Sequence, residues 1–238
     1  MNTSTTISKA DSWQMFDEIS PRYDFLNHLL SFGLDIIWRK RLAEFLIHRP
    51  AQRVLDLATG TADVLLSLFK YNPNVQCGYG IDLADKMLGI GRVKIARKGL
   101  EPHIKLEHGD AHRIPFNPHT FDCATIAFGI RNMDNPLQVL SEMCRVLNHD
   151  GRAIILEFSL PANAVIRSVH LFYLRHVVPL IGAVFSGHYK AYKYLNQTIE
   201  TFPYGNGFLA LMSNAGLKNV NASPLLFGVA TIYTGDKK

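Results

Sequence analysis

The chain has 238 residues, 47% of them hydrophobic and 19% charged, a balance that suits one α/β domain with additions or at most two small domains. Its net charge of +5 comes without a dense Lys/Arg run, which argues against nucleic acid as a partner. Three widely spaced cysteines, Cys77, Cys123 and Cys144, form no disulfide framework, the start lacks an apolar signal core, and no charge-free apolar stretch reaches the roughly 20 residues of a membrane span, so a cytoplasmic protein is expected.

Residues 1 to 11 are polar. From Trp13 the apolar positions Trp13, Phe16, Ile19, Tyr23 and Leu26 recur at helical intervals, and Pro21 is expected to break the run. Ser31 to Leu34 reads as a turn. Ile37, Trp38, Leu42, Phe45 and Leu46 then predict an amphipathic helix with Arg39, Lys40, Arg41 and Glu44 on its wet side. These aromatic positions suit either packing on the main domain or a lid over a ligand.

An apolar burst (Val54, Leu55, Leu57) follows, runs into the small residues Ala58 to Ala62, and opens a helical pattern near Val64. The pattern then alternates. Strands are predicted at Gln76–Ile81, His103–His108, Phe121–Phe128 and Gly151–Phe158, and helices at Ala84–Lys98 and Pro136–Leu147, the latter stopped by Asn148, Asp150 and Gly151. Such alternation points to a parallel sheet with helices on both faces. It fails from Pro161 to about Asn196, a helical, aromatic stretch. A helix around Phe208–Asn214 and two strands, Lys218–Ser223 and Leu225–Tyr233, close the chain; their connection is too short for a crossover, so they form an antiparallel hairpin.

A strand that ends in a tight turn opening a helix presents unpaired N–H groups to a nucleotide-like ligand. The dinucleotide pattern G-x-G-x-x-G does not fit, because Asp63 stands where a third glycine would pack. A Walker loop lacks its lysine. What remains is Asp56-x-Ala58-x-Gly60-x-Ala62, with Asp82 22 residues beyond Gly60 and Asp110 at the end of the next strand. Three consecutive strands thus each offer a carboxylate at the ligand-binding edge. A ligand with a cationic end, a ribose diol and an adenine could use all three.

Asp56 to Asp63, Ile81-Asp82, Gly109-Asp110-Ala111 and Ile114-Pro-Phe resemble the class I S-adenosylmethionine-dependent methyltransferases. Tyr23-Asp-Phe-Leu-Asn27, Leu30-Ser-Phe-Gly33 with Trp38, Phe121-Asp-Cys123, Phe128-Gly-Ile-Arg-Asn132, Arg145-Val-Leu147, Leu156-Glu-Phe-Ser159, Tyr192-Lys-Tyr-Leu195 and Gly228-Val-Ala230 resemble more narrowly the quinone-biosynthetic C-methyltransferases called UbiE or MenG. The resemblance runs from about Asp17 onward. It implies a Rossmann-like α/β fold: a mostly parallel seven-stranded sheet with an antiparallel C-terminal strand, an N-terminal helical lid (1–50), a cofactor-binding core (51–160), a helical cap (161–200) and closing elements (201–238). It also implies S-adenosylmethionine as cofactor, with Gly60 and Thr61 in the loop, Thr61 at the methionine end, Asp82 on the ribose, and Asp110 with Ala111 on the adenine. Ala62 departs from the family, which usually has a third glycine there. Ala127 stands where some members have a cofactor-contacting Ser, and is not assigned.

On this resemblance the reaction is methylation of demethylmenaquinol, with a polyprenyl-benzoquinol as the alternative. A forked, permanently charged Arg131 suits the oxygen whose negative charge develops. Asn132 would orient it, and Tyr23 would reach the ring. The proton acceptor stays open between water, His188 and Tyr192, and Glu157 is an equally good candidate for a buried partner of Arg131. No metal is expected. Val165–Phe185 is the most lipophilic stretch. Arg167, Arg175, His176 and Pro179 argue against a span, but a basic amphipathic helix can accept a prenyl tail, lie on the inner membrane face, or pack on another subunit. Two rivals remain: an NAD(P)-dependent reductase, and a non-enzymatic membrane-surface binding protein.

Overall fold

The central strands are apolar because both faces of the sheet are covered there. In the computed structural model, which describes residues 8–9, 12–186 and 189–238 and the side chains outside 184–193, successive residues of the central strands feed two separate cores. Ala153 and Ile155 point to one, Ile154 and Leu156 to the other, and all four are fully buried. The near-continuous apolar run is therefore a buried parallel strand.

The elements in chain order are α1 (Ser12–Leu30), α2 (Leu34–Leu42), β1 (Gln52–Leu57), α3 (Asp63–Tyr71), β2 (Val75–Asp82), α4 (Asp85–Arg97), β3 (Ile104–His108), β4 (Phe121–Ala127), a single 3-10 turn (Ile130–Asn132), α5 (Pro136–Val146) and β5 (Leu147–Phe158). After them come α6 (Ala164–Phe172), a π turn (Tyr173–Val177), α7 (Val178–Ser186), α8 (Tyr189–Thr201), α9 (Asn206–Asn214), β6 (Lys218–Leu225) and β7 (Ala230–Asp236). The seven strands lie in the order β3-β2-β1-β4-β5-β7-β6. The first five pair in parallel, and β7 runs antiparallel to both β5 and β6. β1 sits between β2 and β4, so the strand order reverses there and opens a crevice at the carboxyl ends.

The alternating elements stand where the sequence puts them, and the two closing strands pair antiparallel as expected, but their turn lies after Leu225 rather than at Pro224. Pro224 falls inside β6 and is tolerated because β6 is the sheet's edge strand. Four further details differ. α1 runs through Pro21 unbroken: the carbonyl of Asp17, which the proline cannot serve, accepts the hydroxyl of Ser20 at 2.9 Å. α2 ends at Leu42, and Arg39 is buried rather than wet because Asp35 and Asp63 hold it at 2.7 and 3.3 Å, while Ile37 is exposed. β5 begins at Leu147, not Gly151; Asn148 to Asp150 form an irregularity in it, and a side chain at Gly151 would meet the Asn148 carbonyl at 2.8 Å. Arg167 and Arg175 do not interrupt the cap: Ala164–Ala183 is one helical run of 20 residues, long and apolar enough by length and composition alone to cross a membrane. Only 17% of its apolar window is buried.

A third, small core joins α1 to this cap through Leu26, Leu174, Val178 and Ile199. The Tyr173 hydroxyl seals the same seam by donating to the Leu30 carbonyl at 2.7 Å.

Candidate functional site

The loop after β1 explains its own composition. Ala58, Gly60 and Ala62 all have positive φ (47°, 54° and 64°), so every second residue must be small to avoid the left-handed clash. The twist carries the loop over the crevice, where Asp82 at the end of β2 holds it. Gly60 N–H donates to Asp82 Oδ2 at 2.8 Å, and Ala84 N–H donates to Oδ1 at 2.9 Å. Gly129 is small for a different reason: a Cβ there would meet the Ala58 Cβ at 2.8 Å, so this glycine lets the loop after β4 close on the first loop.

Between the loops lies a cavity of about 470 Å³. Gly60, Asp82, Asp110, Ala111, Asn132 and Tyr23 all line it, drawn from the ends of β1, β2, β3 and β4 and from α1. Burial pushes the Asp82 carboxyl above the ordinary carboxylate range, against the pull of its backbone N–H partners. Asp110 Oδ1 accepts from both the backbone N–H and Nδ1 of His112 at 2.8 Å. His112 itself lines the cavity, and its Nε2 lies 2.7 Å from Asp134, outside hydrogen-bonding direction. Sequence reasoning missed His112. Its signal was its place two residues after the strand-end Asp110.

Two expected contributors stand elsewhere. Asp56 is 1% exposed and does not line the cavity. It accepts hydroxyls of Thr59 and Thr125 at 2.7 and 2.6 Å, and burial raises its pKa to about 7. Of the three strand-end carboxylates, Asp82 and Asp110 line the cavity and Asp56 does not, because Asp56 lies before the end of β1 and is bonded to Thr125 of the neighbouring strand. Thr61 is also absent from the cavity wall. Its hydroxyl donates to Asp24 at 2.7 Å and accepts from Lys94 Nζ at 2.9 Å.

A second cavity, about 210 Å³, adjoins the first, and Phe16, Tyr23, Phe128 and Asn132 line both. Its walls are mainly apolar: Ile19, Trp38, Phe158 and Leu174 among others, with exposed Phe32 and Leu226 also in the lining. Arg131 also lines it, 4% exposed. The side chain is paired to Glu157 Oε1 at 2.8 Å, donates to the Phe128 carbonyl, and places its guanidinium over the Phe158 ring at 5.3 Å. Deleting Glu157 alone would leave a buried cation unpaired, at a cost of about 3–5 kcal/mol.

Among the described lining residues four buried atoms have no partner: Arg131 Nε, Asn132 Oδ1, His170 Nε2 and Tyr194 Oη. Arg131 Nε is a donor and Asn132 Oδ1 an acceptor, which is what a ligand hydroxyl completes. Tyr23 is held above the ordinary phenol range, chiefly by burial, and so remains a hydrogen-bond donor. His188 and the side chain of Tyr192 lie outside the described residues.

The profile of the ubiE/COQ5 methyltransferase family matches residues 4–237. The chain is 44% identical to the ubiquinone/menaquinone biosynthesis C-methyltransferase UbiE of Geobacter sulfurreducens, over 94% of this chain and 87% of that one. It is 42% identical to the demethylmenaquinone methyltransferase of Thermus thermophilus, over 94% and 100%. Among solved structures, a SAM-dependent methyltransferase from Thermotoga maritima superposes with a TM-score of 0.65 at 17% identity, covering 95% of this chain and 100% of that one. The [4+2]-cyclase SpnF reaches 0.63 at 14%, covering 97% and 96%, so at this distance the likeness shows the fold and not the reaction. With the profile spanning almost its whole length, the chain belongs to the ubiE/COQ5 methyltransferase family.

Proposed function

We propose that the protein is an S-adenosylmethionine-dependent C-methyltransferase of respiratory quinone biosynthesis that converts demethylmenaquinol to menaquinol. The first cavity takes the cofactor. Asp82 accepts the ribose diol and Gly60 carries the loop over it, while Asp110 and Ala111 flank the adenine. These residues fit the group: a half-buried carboxylate lining a cavity at the strand reversal suits a ribose diol. Asp63, standing where a dinucleotide loop packs its third glycine, disfavours the nicotinamide alternative. When bound, S-adenosylmethionine supplies a methyl group already activated on a sulfonium centre.

The second cavity takes the quinol. The observation that carries this reading is the unsatisfied donor and acceptor, Arg131 Nε and Asn132 Oδ1, in a mainly apolar chamber next to the cofactor cavity. Arg131 Nε–H donates to the ring oxygen as negative charge grows on it, and the low-polarity walls strengthen that contact. Asn132 Oδ1 accepts from a quinol hydroxyl and so fixes the ring's rotation. Tyr23, on the shared wall, aligns the ring carbon with the methyl group and helps exclude water. Glu157 keeps Arg131 in place by neutralising it from the side away from the ring.

The N-terminal helices act as a lid and the 161–200 helices as a cap. Exposed Phe32 (77%) and Leu226 (44%) leave an apolar mouth for a polyprenyl tail. Val165, Val169 and Phe172 are also exposed and share one face of α6, which supports contact with the inner surface of a membrane by a cytoplasmic protein.

Arg131→Ala tests the assignment. It should keep calorimetric cofactor affinity while lowering kcat with a short-chain demethylated naphthoquinol at least 100-fold. Undiminished turnover would remove Arg131 from the reaction. Running a benzoquinol in parallel, with mass spectrometry of the product, separates the two quinol classes.

A further inference from the structure

Carbon methylation requires a hydroxyl proton to leave before the neighbouring ring carbon becomes strongly nucleophilic. Arg131 is always charged and has no lone pair to take that proton. Tyr23, Tyr173 and Tyr194 line the same cavity, and burial pushes each of them above the ordinary phenol range, so at neutral pH they are phenols. Asp35 is the carboxylate among the described lining residues. It is already engaged by Arg39 Nη1, Ser31 Oγ and His28 Nδ1, each at 2.7 Å.

His170 differs from all of these. It stands in the last turn of α6, lines the quinol cavity, and has a buried Nε2 without a hydrogen-bond partner. A buried polar atom left open is costly unless something completes it. Burial also lowers the imidazole from its ordinary value of 6.5, so the ring is neutral at pH 7 and one nitrogen carries a lone pair. The charged side chains of the same lining, Asp35, Arg39 and Arg131, are each paired within the protein, so burial is the cause of that shift.

We propose that His170 accepts the quinol hydroxyl proton, a role that rests on the second cavity being the quinol site. The O–H bond breaks with its electron pair left on the ring oxygen, where Arg131 holds the charge, and the proton passes to the open imidazole nitrogen. Once the methylated ring carbon sheds its hydrogen as a proton, the imidazolium returns its own proton to the oxygen. The hydroxyl is regenerated, and one proton overall goes to solvent.

The test uses the full chain and a short-chain demethylated naphthoquinol kept reduced without air. In protein carrying ¹⁵N-labelled histidine, the resonance absent from His170→Gln should shift when the quinol binds without cofactor. His170→Gln should keep cofactor and quinol Kd within about threefold, yet lose about 100-fold in kcat. The acid limb of wild-type kcat, expected below pH 6.5, should vanish in the variant. His170→Ala should regain part of its activity with added imidazole. A variant kcat within threefold of wild type, a retained acid limb, or an unmoved resonance at saturating quinol each overturn the proposal while the substrate reading stands. Failure of the wild-type protein to bind the quinol at all overturns both.

Discussion

Both carboxylate oxygens of Asp82 already accept backbone N–H groups, so this one side chain closes the loop and presents its remaining lone pairs to the cavity. Asp82→Ala removes both functions and should abolish the micromolar-range binding of S-adenosylmethionine; unchanged calorimetric affinity would sink the cofactor assignment. The pH dependence follows from the same group. Its pKa is raised, and the diol donates to the ionised form, so affinity should fall as pH is lowered through that raised value. Asp82→Asn should bind weakly at every pH.

Asp56 makes the opposite contribution. Its folded pKa of about 7 lies above its unbonded value of 3.8, so between those values the folded state holds a proton that the unfolded state has lost. Stability from this group is therefore full below pH 4 and falls as pH rises toward 7, at about 1.4 kcal/mol per unit. Urea titrations of wild type and Asp56→Asn should diverge with this sign. Parallel pH profiles would show that the Thr59 and Thr125 hydroxyls hold a carboxylate after all. Spacing put Asp56, Asp82 and Asp110 at equivalent strand ends, and it could not show that one of them turns into the sheet. That depends on Thr125, a residue 69 positions away.

At the scale of elements, α1 is fastened to the cofactor loop. Lys94 of α4 reaches Asp24 of α1 and Asp63 of α3, both at 2.6 Å, while Thr61 donates to Asp24 and accepts from Lys94. The three charged groups are each about a quarter exposed, which keeps solvent screening partial. Lys94→Met should lower stability by ~1 kcal/mol. It should also speed hydrogen exchange across α1 more than across β1, and raise the KM for the cofactor. Unaltered α1 protection would mean that the small core with the cap suffices to hold this helix. Periodicity found α1 and α2 but misread their relation to solvent. A helical wheel assigns Arg39 to water, and only the approach of Asp63 from α3 brings it inside. Pro21 was misread for a related reason: the hydroxyl that rescues the helix belongs to the adjacent Ser20, and a breaker rule does not weigh it.

For the molecule as a whole, the sheet was the most legible part. Its central strands are apolar and largely buried, and are separated by loops that glycine and aspartate mark in the sequence. The motifs Phe-Gly-Ile-Arg-Asn and Leu-Glu-Phe-Ser were legible too, and the fold brings them together as the Arg131–Glu157 pair. The second cavity was not. Its walls come from α1, α2, the ends of β4 and β5, the cap and the turn before β7, and no local pattern reports how such distant pieces meet. His170 was hidden for that reason, as one polar residue in a lipophilic helix.

Phe16, Tyr23, Phe128 and Asn132 form a party wall between the two cavities. Whatever presses on one side of such a wall is felt on the other, and the exchange is symmetrical. The factor by which S-adenosylmethionine changes quinol affinity must equal the factor by which quinol changes cofactor affinity. Calorimetry in both orders should return a single coupling factor different from one. Independent titrations would mean that the wall is rigid. With such coupling, a compound selected against the quinol chamber in the absence of cofactor changes its affinity by its own coupling factor once S-adenosylmethionine is bound.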